Sequence, residues 1–64
     1  MTKRQMKAID KKIEAIFYAK CQRVQIPIMR MSEIYAAGRQ AAIDGGDIEQ
    51  AVLAATLAIA VNQS

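Results

Sequence analysis

Nucleophilic, acid-base and metal chemistry each need particular side chains, and few of them occur in this sequence. It has one cysteine, Cys21, and no histidine. A thiolate nucleophile needs an imidazole or cationic neighbour to lower its pKa, and structural zinc needs a tetrahedral set of sulfur and nitrogen ligands; one thiol without a histidine supplies neither. Cys21 falls instead on a row of apolar residues three and four apart, the setting of an inert core side chain. Ser32 and Ser64 have no visible base partner. Asp44 and Asp47 flank two glycines, but calcium usually takes about six to eight oxygens, and helix capping accounts for both carboxylates. No glycine-rich phosphate loop or zinc spacing is present. The sequence therefore predicts a protein that is not an enzyme, with no cofactor, no metal and no small-molecule substrate.

Binding chemistry is better represented. Residues 1–23 carry Lys3, Arg4, Lys7, Lys11, Lys12, Lys20 and Arg23 against only Asp10 and Glu14, whereas residues 24–64 carry Arg30 and Arg39 against Glu33, Asp44, Asp47 and Glu49. A cationic block of this kind attracts polyanions, whether nucleic acid, anionic membrane or an acidic protein face. Lys3, Lys7 and Lys11 recur every four residues, so a helix gathers them into one ridge. That ridge is either a phosphate-facing surface or the solvated side of an amphipathic helix. Met29 and Met31 could line an adaptable groove or fill core gaps, and Tyr18 and Tyr35 suit either an interface or the rim of a core.

The elements that must position these residues are legible from their punctuation. Thr2 followed by Gln5 is the pattern of a capping box, and Met1 and Met6 have the spacing of a hydrophobic staple. Met6, Ile9, Ile13, Ile16, Phe17, Cys21 and Val24 then recur at helical steps, predicting a first amphipathic helix over 3–22. Pro27 drives Ile26 out of the α region and suits the first turn of a second helix, 27–44, with Ile28, Met31, Ile34, Tyr35, Gly38, Ala41 and Ala42 on one face. Gly38 and Ala42 are small enough to admit another helix closely. Gly45 and Gly46 end that helix, and Asp47, with Gln50 three residues on, caps a third over 48–62.

The segment 23–31 admits a helix start, a loop or a strand. Taken as an alternating strand from Arg23 to Ile28, then a helix capped by Ser32, the glycine turn and the last helix, residues 23–61 resemble in outline a ribbon-helix-helix DNA-binding dimer. The resemblance implies a dimer with Arg23 and Gln25 turned towards base edges.

The third helix is apolar on two sides. Ile48, Val52, Ala55 and Ile59 form one stripe; Leu53, Leu57 and Val61 form another nearly opposite, with Glu49, Gln50, Thr56 and Asn62 polar among them. On this reading Thr56 belongs to the polar side and tolerates a charge. The run Ala51 to Val61 is far shorter than the roughly 20 residues of a membrane span, so the helix is either central to its own bundle or covered by another chain.

Together these features predict a single all-α domain over residues 1–64, a small three-helix fold that is oligomeric or partner-bound, since a core this small is marginal without a staple. The expected function is a protein-interaction module, such as an adaptor, an antitoxin-like partner or an inhibitor of a larger assembly. It acts through Leu53, Leu57 and Val61 on a second copy or another protein. The alternative is a nucleic-acid-binding regulator using Lys3, Lys7 and Lys11, or Arg23 and Gln25. The unpaired cysteine and a charged N-terminal stretch without an apolar export signal predict a cytoplasmic location.

Overall fold

The computed structural model describes residues 2–21 and 23–62. It contains three α-helices, α1 (Lys3–Lys20), α2 (Met31–Ile43) and α3 (Ile48–Asn62), with a single 3-10 turn at Ile28–Arg30 before α2. No strand occurs among the described residues, and none of their helices is long and apolar enough to cross a membrane.

The predicted capping box closes α1: the Gln5 N–H donates to Thr2 Oγ1 at 3.1 Å and the Thr2 N–H donates to Gln5 Oε1 at 3.0 Å. The Met1 half of the staple lies outside the described residues. The helix stops at Lys20, earlier than the predicted 22, a position that is itself outside the described residues. Cys21 leaves helical geometry (φ −120°, ψ 23°) while its N–H still bonds Phe17 O at 2.8 Å, and the Val24 N–H turns back onto Cys21 O. The early exit lets the following segment double back, and Ile26 reaches the core from outside any helix.

That return path also settles residues 23–27, which form a turn and an irregular connection where the ribbon resemblance calls for a strand. Pro27 has no N–H for a ladder, and the chain tightens into the 3-10 turn directly after it, the Arg30 N–H bonding Pro27 O at 2.8 Å. Helix two accordingly begins at Met31 and not at Pro27, whose ψ of 138° is extended. The 100° spacing that aligned Ile28 with the buried face does not reach back across this turn, and Ile28 and Met29 are both 89% exposed. Ser32 is no N-cap; its hydroxyl donates back to Met29 O.

Between α2 and α3 the chain turns as its glycines dictate. Gly45 takes φ +74°, open to glycine and costly for a side chain, and the Gly46 N–H bonds Ala41 O at 2.8 Å. Asp47 then caps α3, its Oδ1 accepting from the Glu49 and Gln50 N–H groups at 3.0 and 3.3 Å.

The core lies where the three helices converge. Ile13 of α1, Ile34 of α2, and Val52 and Ile59 of α3 are buried together. At its centre α2 offers Gly38, where a Cβ would stand 2.5 Å from Ile13 Cδ1 and 3.4 Å from Val52 Cγ2. The absent side chain brings the α2 backbone within reach of both neighbouring helices.

Candidate interaction surfaces

The two apolar stripes of α3 meet different fates. Val52 and Ile59 are buried, and Ile48 and Ala55 pack partly against them. On the other side Leu53 is half-buried, while Leu57 is 66% and Val61 61% exposed. Ala54 and Ala58 lie exposed beside that stripe. From Ala51 to Val61 the helix carries no charge, so its outer surface is a continuous apolar strip with small residues along one edge. Leu53, Leu57 and Val61 are thus brought to one face.

Thr56 corrects the predicted pattern. It is only 2% exposed, and its hydroxyl is satisfied within the helix by donating to Val52 O at 2.8 Å. The signal was present in the spacing: Thr56 follows Val52 by four residues and precedes Ile59 by three, placing it on the core side. A threonine can be buried there because its one polar group has a partner in its own backbone.

The basic residues of α1 point outward: Lys3, Arg4, Lys7, Lys11 and Lys12 are all exposed. A shallow, open depression lined by Lys3, Arg4, Met6, Lys7 and Asp10 lies beside them. Another, lined by Gln5, Ala8, Ile9, Ala42 and Ile43, runs between α1 and α2. Arg23 and Gln25 are exposed on the irregular connection, away from any ribbon. Cys21 is buried, at 5% exposure.

A polar cluster that the residue patterns did not suggest fastens α1 to α2. Arg39 donates to both oxygens of Asp10, Nε to Oδ1 and Nη2 to Oδ2, each at 2.8 Å. Its guanidinium also stands 5.6 Å from the centre of the Tyr35 ring. The Tyr35 hydroxyl donates to Glu14 Oε1 at 2.7 Å. Asp10 and Glu14 are four apart, as are Tyr35 and Arg39, so each pair shares a helix face and the two faces meet. The hydrogen bond from Arg39 holds the Asp10 carboxyl below its ordinary pKa. The hydrogen bond to Glu14, with burial and the Glu14 charge acting in the same sense, pushes the Tyr35 hydroxyl up to about 12. This tyrosine is a structural donor, held neutral, and both acidic residues of α1 are spent on α2.

Comparison with protein-family models, curated proteins and solved structures gives no match.

Proposed function

We propose that this protein is a small, non-enzymatic helical interaction module whose α3 presents Leu53, Leu57 and Val61 to another protein surface, either a second copy of the chain or a different partner. The observation that carries this reading is the uncharged outer face of α3, on which Leu57 and Val61 are each more than half exposed. Fully burying side chains of this kind yields about 1.5–3 kcal/mol each. Completing the burial of three is a substantial gain beside the roughly 3–5 kcal/mol that a core of this size supplies. Ala54 and Ala58 let a second helix approach closely along the same strip. A cytoplasmic setting, where a lone thiol such as Cys21 stays reduced, fits this reading.

The test is a solution mass measured over a range of protein concentrations, for the wild type and for Leu57→Asp. The wild type is expected to associate or to hold a partner, with a melting temperature that rises with the concentration of whichever it binds. Leu57→Asp should abolish that assembly and leave the helical circular dichroism intact, because the carboxylate is solvated in the free chain and desolvated only in the contact. A wild type that stays monomeric, holds no partner, and keeps its melting temperature on Leu57→Asp would refute the proposal.

A further inference from the structure

The outward side of α1 carries more than its lysines. At 100° per residue, Lys3, Lys7, Tyr18, Lys11 and Arg4 fall within an arc of about 100°, and all five are exposed. Tyr18 is 65% exposed, and its described aromatic contact is an edge-to-face one with Phe17, with ring centroids 5.9 Å apart. A large ring on a cationic ridge, contributing so little to the core, is not explained by folding. Of the two carboxylates of α1, Asp10 is paired with Arg39. Glu14 shares the arc and keeps its charge while accepting the neutral hydroxyl of Tyr35, so the ridge sets Lys3, Arg4, Lys7 and Lys11 against one carboxylate. Among the described residues none of Lys3, Arg4, Lys7 and Lys11 takes part in a salt bridge.

From this we infer that the outer face of α1 is a binding track for single-stranded nucleic acid, with Lys3, Arg4, Lys7 and Lys11 on the phosphates and Tyr18 stacking on an unpaired base. Successive lysines of the ridge rise by about 6 Å, and the track from Lys3 to Tyr18 is about 22 Å long, enough for a few nucleotides. Backbone-tracking cations combined with an aromatic platform are what sequence-tolerant single-strand binding requires. A duplex offers phosphates but keeps its base faces stacked, leaving Tyr18 without a role. An anionic membrane would engage the cations, yet the apolar side of α1 that lipid insertion needs is packed into the core through Ile9, Ile13, Ile16 and Phe17. The inference is independent of the α3 docking face.

The experiment is fluorescence anisotropy of a labelled twelve-residue oligo-dT (length chosen to exceed the track, about 22 Å), titrated with full-length protein across a series of salt concentrations. Saturable binding that weakens with salt is expected. The triple variant Lys3→Gln, Lys7→Gln, Lys11→Gln should lower the log–log salt slope by roughly 2, at about 0.7 per lost single-strand phosphate contact. Tyr18→Ala should weaken binding by roughly 5-fold or more without changing that slope, and Tyr18→Phe should retain affinity. Because all these side chains are exposed, circular dichroism should be unchanged in every variant. The inference is overturned by absence of binding at low salt, by binding that Tyr18→Ala leaves unaffected, by tighter binding to a duplex of the same length, or by binding to phosphatidylserine vesicles without binding to the oligonucleotide.

Discussion

Helices α1 and α3 use their surfaces in opposite ways. The inner side of α1 is apolar, Asp10 is paired with Arg39 at the junction with α2, and the outer side sets four cations against Glu14. The inner side of α3 is apolar with one self-satisfied hydroxyl, and its outer side is apolar too. An outer face suited to water needs nothing further to be stable, whereas an outer apolar strip costs free energy for as long as it stays wet. The difference teaches that charge pattern reports where a helix meets solvent only when the helix has charges to distribute. On α3 the boundary is set by packing alone.

The sharpest way to break this comparison uses two adjacent residues of α3. Thr56→Asp places a carboxylate at a site 2% exposed, among apolar neighbours. It should destabilise the fold by about 3 kcal/mol or more, enough to unfold a domain of this size. Leu57→Asp should change the stability of the free chain by no more than about 0.5 kcal/mol. Urea unfolding of both variants at low protein concentration checks the contrast, and equal effects would show that α3 does not have the inner and outer sides assigned to it.

Gly38 sharpens the account of what the inner sides share. Replacing it with alanine gains about 1 kcal/mol of helix propensity, but the new Cβ meets Ile13 Cδ1 and Cγ1 at 2.5 and 2.6 Å, atoms of a fully buried and stiff side chain. Overpacking costs of about 1–3 kcal/mol should outweigh the gain. Gly38→Ala is expected to lower stability, and adding Ile13→Ala should give a smaller total loss than the two single changes summed. An increase in stability with Gly38→Ala would refute the three-helix convergence at this point.

A smaller effect separates the helix ends. Asp47→Ala removes the oxygen that accepts from two N–H groups at the start of α3, and should cost about 1 kcal/mol. Hydrogen exchange should localise the loss to the first turn of α3, with α1 amides unaffected.

The smallest effect concerns the polar junction of α1 with α2, and pH resolves it. The Tyr35 pKa is raised from 10.0 to about 12, so its contribution is fully present below pH 10 and is lost as pH rises through about 12. The Asp10 pKa is lowered, so its contribution is present above the ordinary carboxylate range and is lost as pH falls below that range through the lowered value. Tyr35→Phe should therefore remove the alkaline component of the stability profile and leave the acidic component in place. A Tyr35→Phe profile that still falls between pH 10 and about 12 would show that another group causes it.

Particular residues show where the sequence was sufficient. The Thr2–Gln5 box, the glycine turn at Gly45 and the Asp47 cap are local devices, acting within a few residues of chain, and each forms as its residue types require. The stripe of Leu53, Leu57 and Val61 was equally legible, since a helical period fixes which side chains share a face. Thr56 was misassigned by its polarity although its spacing was correct, because a hydroxyl that can donate to the backbone four residues earlier does not need water. Ile28 was misassigned because the period of α2 was carried back across the 3-10 turn at Ile28–Arg30, beyond the point where the helix exists.

By itself, then, the sequence determined the three helices, most of their ends, the asymmetry of charge and the two apolar sides of α3, all of which depend on spacing and on interactions between near neighbours. Tertiary structure alone decided which of the two apolar sides was covered. It also decided that Asp10 would be paired with Arg39 and Glu14 would accept from Tyr35, and that Tyr18 would stand exposed beside the lysines. Those outcomes depend on how whole helices approach one another, and that approach is set by the missing side chain at Gly38 meeting Ile13 and Val52 from two other helices, a coincidence of three distant residues that no local period encodes.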